Sequence, residues 1–289
     1  MRSIEMQIPM KLEYIASLSQ PGNPAKANDD ALCHADNLAA VFDGATSIGD
    51  PILPADSDAA WIARKGAQGL LAHADKGARE ALRLAVADAE RDFLKDRLRA
   101  PEHAYEIPVS SMMLIAPRSG ALDCFWFGDC TALIARPRQP VEVVGTAFAN
   151  RVREAKGVVA LAKSKGLTPA AESNRPEFLE TLRRERNRAY TGIPHLFSPD
   201  IRCVERVKTG SFAIVPDTVA LLCSDGFLAL ASDYDAYDAD GLVAAALSRG
   251  LKPLYEEVRR IENSDPEGLK YPRFKKSDDA TALLVRVAE

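Results

Sequence analysis

Apolar residues along the chain follow two spacings, and the changes between them divide it into blocks. Apolar runs bounded by Gly, Asn, Asp and Pro predict strands over 12–18 and 31–42, the second broken by a turn at 35–37. Helical spacing then takes over: a helix is predicted over 58–72 and another over 78–98, where Leu82, Ala85, Val86, Ala89 and Phe93 recur every three or four residues. Pro54 precedes the pair and Pro101 follows it. From 109 to 144 the pattern returns to strand, over 110–116, 121–127, 131–135 and 141–144, with Arg-Ser-Gly, Gly-Asp and Pro-Arg-Gln-Pro turns between, an antiparallel meander. Helices over 148–163 and 176–189, strands over 203–207, 212–215 and 219–223, helices between 237 and 261 and a β-branched strand over 281–287 complete the chain. Strands and helices in blocks predict α+β layers rather than alternating parallel units.

Composition narrows the class. A chain of 289 residues, 47% hydrophobic and 27% charged, is globular and long enough to bury a sizeable core, which excludes a disordered tail or a disulfide scaffold. A single domain over 1–289 is expected. The net charge of -4 provides no overall basic field, so nucleic acid is not an expected partner. The longest apolar runs, 219–223 and 280–285, are too short to cross a bilayer, and residues 1–10 lack a secretory pattern, so no membrane partner and a cytoplasmic location are expected. Cys33, Cys124, Cys130, Cys203 and Cys223 form no C-x-x-C pair and read as reduced core thiols.

Nucleotide-binding glycine loops, the Gly-x-Ser-x-Gly elbow and the His-Glu-x-x-His motif are absent, and no two of the four histidines share a metal-ligand spacing. What recurs is aspartate beside a strand end: Phe42-Asp43-Gly44, Gly128-Asp129 and Ser224-Asp225-Gly226, with Asp29-Asp30 and Asp278-Asp279 before or at strand starts. Any one Asp-Gly pair also reads as a turn. Five positions converging on one sheet edge would form a cluster that stays ionised only when neutralised by cations, and all-oxygen ligation suits Mg²⁺ or Mn²⁺.

In their order these fragments resemble the signature of the metal-dependent protein phosphatases of type 2C, bacterial type: Asn28-Asp29-Asp30, Phe42-Asp43-Gly44, Ser110-Ser111-Met112, Gly128-Asp129-Cys130, Cys223-Ser224-Asp225-Gly226 and Asp278-Asp279-Ala280-Thr281. The stretch 190–199 followed by Ala220-Leu221-Leu222 adds to the likeness. The resemblance implies a four-layer α-β-β-α sandwich of two antiparallel sheets flanked by helices. It also implies a phosphomonoesterase, a protein serine/threonine phosphatase using a water activated by two Mg²⁺ or Mn²⁺ ions, with a phosphorylated protein as substrate. Carried over position by position, Asp43 bridges the ions, Gly44 lends its carbonyl and Asp225 and Asp278 hold one ion. Asp30 and Asp29 act through bound water, and Asp129 serves a weaker third ion.

Two positions depart from the family pattern. Ala45 stands where a histidine often follows Asp-Gly, and Ala25 where an arginine usually grips the phosphate; adjacent Lys26 cannot reproduce a bidentate fork. These losses leave a second reading open, a catalytically weak relative that binds a phosphorylated partner as a regulator. A basic helical insertion is expected at about 146–200, where the family carries a variable flap. Its 151–188 stretch holds ten Lys or Arg against five Glu. That stretch reads either as solvated helices with a stripe of Phe148, Val152, Ala155 and Val159, or as a substrate surface in which Arg183 and Arg184 join Lys26.

Overall fold

The computed structural model describes residues 10–169, 176–189, 192 and 194–288. In chain order the strands are β1 (Lys11–Gln20), β2 (Asp30–Ala35), β3 (Leu38–Gly44), β4 (Ser110–Arg118), β5 (Ala121–Phe127), β6 (Thr131–Ala135), β7 (Glu142–Val144), β8 (Lys208–Ala213), β9 (Val219–Cys223) and β10 (Ala280–Ala288). The helices are α1 (Asp58–Ala72), α2 (Ala78–Asp96), α3 (Ala147–Ser164), α4 (Pro176–Ala189), α5 (Asp225–Ser232), α6 (Ala239–Arg249) and α7 (Leu251–Ser264). One antiparallel sheet has the order β1-β10-β9-β6-β7, and the other β2-β3-β4-β5-β8.

Period-two alternation along the strands builds the layers. On β3, Ala39 and Val41 join Leu222 of β9 and Leu283 and Val285 of β10 in an apolar layer between the sheets. Leu38, Ala40 and Phe42 face the other way, onto Ile62, Leu70 and Leu82 of α1 and α2. Leu221 and Cys223 of β9 likewise turn outward onto α5, α6 and α7 through Leu228, Leu242 and Leu254. Strands buried on both faces read as nearly continuous apolar runs, which is how β3, β4 and β9 appear in the sequence. The expected α-β-β-α sandwich is therefore the observed architecture.

Three expectations fail locally. The segment at 203–207 is not a strand but lies in a 3₁₀ turn over Ile201–Arg206, because the Asp200 side chain accepts from the Arg202 amide and caps it. The strand expected at 212–215 is β8, displaced to Lys208–Ala213 by its register with β5. On α3 Phe148 packs on the core as expected, but the buried face continues through Val158 and Ala162, and Val159 is exposed. Residues 170–175 of the basic stretch lie outside the described residues. All five cysteines are buried and free, and burial pushes the Cys33 and Cys124 thiols up to about 12.

Candidate active site

Antiparallel pairing collects the acidic positions at one end of the sandwich. In one sheet β2 begins at Asp30, β3 ends at Asp43-Gly44 and β4 begins at Ser110, with Asp30 opposite Asp43 and Asp43 opposite Ser111 in the register. In the other, β6 and β9 meet at Thr131 and Cys223 and β9 and β10 at Cys223 and Ala282. Asp129, Asp225 and Asp278-Asp279 therefore flank strand ends on the same side. The inward parity of Val41, Met113, Leu222 and Leu283 continues past the apolar layer to Asp43, Ser111, Ser224 and Thr281. Leu32, which packs on that layer, places Asp30 on it too. Thus the dry core ends in a polar row built by the same alternation that builds the core.

Hydrogen bonds and close backbone contacts lock the row. Ser111 donates to Asp129 Oδ1 at 2.7 Å, and Ser110 donates to the Asp43 carbonyl at 2.9 Å. The Asp279 carboxylate accepts from the Gly22 and Asp29 amides at 2.7 and 2.6 Å, tying the loop before β2 to the start of β10. Ser57, the N-cap of α1, donates to Asp29. A Cβ on Gly226 would lie 2.1 Å from the Asp279 carbonyl oxygen, and one on Gly44 would lie 2.5 Å from that of Asp29. Only glycine lets the backbone approach so closely at these two places.

Electrostatics show how near the carboxylates lie to one another. Burial raises the Asp43 carboxyl well above the ordinary aspartate range, and the charges of Asp225, Asp30, Asp129 and Asp278 raise it further. Asp30 is also raised well above that range, first by burial and then by Asp279 and Asp278, although the Ser224 and Thr281 hydroxyls oppose the shift. Asp30 is 5% exposed and neither carboxylate oxygen has a hydrogen-bond partner within 3.5 Å. Asp29 is raised as well, by burial above all. Lys275 supplies the counter-charge: its Nζ lies 2.8 Å from Asp278 Oδ1 and donates to Thr46 Oγ1 at 3.0 Å. Burial works against its charge, but Asp278, Asp43 and Asp225 outweigh burial and hold the ammonium above the ordinary lysine range.

A cleft of about 1200 Å³ opens beside this row, between the loop before β2, the segment after β3 and the loop before β10. Asp29, Asp278, Lys26 and Lys275 are on its lining, whereas Asp30, Asp43, Asp129, Asp225, Arg183 and Arg184 are not. Arg183 donates from Nε to the Ile48 carbonyl at 2.6 Å and stacks on Tyr105, and Arg186 donates to the Thr46 carbonyl at 3.0 Å. These bonds brace α4 against the segment that follows Gly44. Arg184 is exposed, with Glu185 3.7 Å away. His34 donates from Nε2 to the Leu12 carbonyl at 2.9 Å, four residues along β2 from Asp30, a distance of about 13 Å at strand rise.

Lys275, Thr46 and Ser57 escaped the sequence reading. Ser111, Ser224 and Thr281 lay in the quoted fragments without a role, and strand parity was the signal that could have placed them. Among the described residues no three acidic, His or Cys side chains stand close enough to hold an ion as they are. In donor chemistry the set still fits a hard divalent cation: all donors are oxygens, they repel one another, and both oxygens of buried Asp30 lack a partner.

Two facing antiparallel sheets with helices on both outer faces give the chain the fold of solved bacterial serine/threonine phosphatases of the type-2C kind. The chain aligns with the Mycobacterium tuberculosis serine/threonine phosphatase PstP/Ppp at a TM-score of 0.55 and 14% identity, over 98% of this chain and 100% of that one. The Staphylococcus aureus serine/threonine phosphatase Stp1 aligns at 0.53 and 13% identity, over 100% and 99%. The catalytic domain of PstP in complex with two manganese ions aligns at 0.52 and 14%, over 97% and 100%. No family model and no curated protein matches the sequence. Among the described residues no helix is long and apolar enough to cross a membrane.

Proposed function

We propose that the protein is a Mg²⁺- or Mn²⁺-dependent phosphomonoesterase, acting on phosphoserine or phosphothreonine in proteins. The observation that carries this reading is the polar row itself, in which Asp43 feels the charge of four other aspartates and Asp30 is buried with unpartnered oxygens. The fold shared with PstP, one of whose structures contains two manganese ions, supports it. In this reading Asp43, the Gly44 carbonyl, Asp225 and Asp278 would hold the two ions, Asp30 and Asp29 would support them from behind, and Asp129 would serve a weaker third ion. Bound divalent ions would supply a water of lowered pKa and charge stabilisation at the phosphoryl group.

The chain's own residues then divide the remaining work. Ser111 orients Asp129, Asp279 holds the loop carrying Asp29 against β10, and the Gly44 and Gly226 contacts set the spacing of the strand ends. With Ala45 after Asp43-Gly44, no imidazole follows that turn to protonate a departing alkoxide. The second reading, a regulator that binds a phosphorylated partner without turnover, is favoured by Ala45 and Ala25. Hydrolysis of p-nitrophenyl phosphate and a phosphothreonine peptide, with Mn²⁺ and with chelator, distinguishes the two. Chelator-sensitive release of phosphate from both supports the enzyme. Binding of the peptide without release supports the regulator.

A further inference from the structure

We infer that Lys275 is the phosphate-binding cation of this cleft, held on Asp278 until a divalent ion displaces it; the inference rests on the proposed metal-dependent reading. Its position is built by the surrounding loop. The Asp265 carboxylate collects the amides of Leu269 and Tyr271, each at 2.9 Å, and Arg273 donates to Asp265 Oδ2 at 3.1 Å, to the Tyr271 carbonyl at 2.9 Å and to the Lys276 carbonyl at 3.0 Å. Arg273 and Asp265 are both 9% exposed, so the segment that launches Lys275 is fixed from beneath. From there the ammonium bridges two walls of the cleft, reaching Asp278 before β10 and Thr46 after β3.

An ammonium has three N–H donors. Asp278 and Thr46 account for two, and Lys275 lines the cleft. The other cations on the lining are differently placed. Arg259 gives Nη1 to Glu262 and Nη2 to the Asp278 carbonyl, and its guanidinium stacks on Tyr255. Lys26 lines the cleft beside Ala25 in the loop before β2, and the carbonyl of Lys276 accepts from Arg273. When a divalent ion binds Asp278, it takes over the carboxylate that pairs with Lys275. A phosphoryl dianion entering the cleft then offers the displaced ammonium a new partner within the reach of its flexible four-carbon stem, and lysine binds phosphate well as a point charge. Lys275 thereby competes with the ion and cooperates with the anion.

Such a residue has a crossed signature. Calorimetry on the full chain would use Mn²⁺ alone, then inorganic phosphate at saturating Mn²⁺. Lys275→Met is expected to bind Mn²⁺ about three- to tenfold more tightly and phosphate at least tenfold more weakly, and Lys275→Arg to restore phosphate binding. Matching thermal melts and circular dichroism establish that the variants fold; should Lys275→Met fail to fold, Lys275→Gln is measured in its place. A variant that weakens both affinities, strengthens both, or leaves either unchanged overturns the assignment. Wild-type protein that binds no Mn²⁺ overturns the proposed function and this inference together. Mn²⁺ binding that Asp43→Asn abolishes, with an uncrossed response at Lys275, overturns the inference alone.

Discussion

Replacing Asp30 with asparagine should stabilise the metal-free protein at neutral pH, although it removes a residue of the proposed site. Asp30 and Asp43 are register partners on β2 and β3 and both point between the sheets. Directly opposed side chains stand about 5 Å apart, and two unit charges at that separation repel by about 3 kcal/mol at an effective dielectric constant of about 20. The wild-type chain can escape by keeping Asp30 protonated, at about 1.4 kcal/mol for each pH unit above the unfolded pKa. Near pH 7 that route costs about 4 kcal/mol, whereas ionisation costs the repulsion of about 3 kcal/mol together with the burial that is the first cause of the shift, so either state carries a penalty of a few kcal/mol. The amide of asparagine must itself be accommodated, which leaves a gain of about 1–3 kcal/mol.

The pH dependence follows from the direction of the shift. The Asp30 carboxyl is raised from 3.8 on folding. Its contribution is fully favourable below that value and is lost as pH rises from it toward the folded pKa. Near pH 4.5 protonation costs less than about 1 kcal/mol, so the advantage of Asp30→Asn should nearly vanish there. In chelator the variant should melt about 2–6 °C above wild type near pH 7 and within about 1–2 °C of it near pH 4.5. Saturating Mn²⁺, which neutralises the row, should erase the difference. A variant that is no more stable than wild type near pH 7, or equally favoured at both pH values, would refute the account of Asp30 as a buried charge under repulsion.

Other changes probe the frame around the row. Gly226→Ala places a methyl against the Asp279 carbonyl oxygen, so it should lower stability by about 1–3 kcal/mol in urea unfolding and weaken Mn²⁺ binding by parting Asp225 from Asp278. Arg273→Met leaves Asp265 and the carbonyls of Glu262 and Tyr271 without their shared donor, and should cost about 3 kcal/mol or more by the same assay. If the chain hydrolyses aryl phosphates, the missing imidazole at Ala45 should make kcat/KM fall steeply as leaving-group pKa rises, since general acid catalysis is worth about 10²- to 10⁴-fold. His34→Ala should leave that slope unchanged, because His34 is held on the Leu12 carbonyl far along β2; a changed slope would identify His34 as the proton donor.

The residues explain which parts of this architecture are legible in one dimension. Strands buried on both faces and cut by Gly-Asp turns announce their ends, so Asp43, Asp129, Asp225 and Asp278 could be proposed as rim residues from apolar run and aspartate alone. Helix α5 was hidden because Asp225-Gly226 reads as a turn and the residues from Phe227 to Ala231 are all buried, leaving no polar face to reveal a helical period. The 3₁₀ turn at Ile201–Arg206 was hidden by Cys203, Val204 and Val207, whose apolar character suits a strand until the Asp200 cap is considered. Lys275 was the least legible of all. It stands in a Lys-Lys pair that reads as solvated surface, and its partner Thr46 is 229 positions away.

That contrast separates what strands and loops contribute to the site. Alternation can place Asp30, Asp43, Ser111, Ser224 and Thr281 between the sheets only while the apolar layer behind them keeps the same parity, so a one-residue slip in β3 would turn Asp43 toward α1 and expose Val41 to the same fate. The acidic row and the core are therefore specified together, and neither can drift without the other. Loops carry no such constraint. The departures at Ala25 and Ala45, and the placement of Lys275, all occur where no strand pairing fixes the residue. The Thr46 segment is instead held from outside, by Arg183 and Arg186 of α4 bonding to the carbonyls of Ile48 and Thr46. A basic helix expected to meet substrate thus shapes the wall that Lys275 leans on, and a change in α4 would reach the cleft through Thr46 before it reached any phosphate directly.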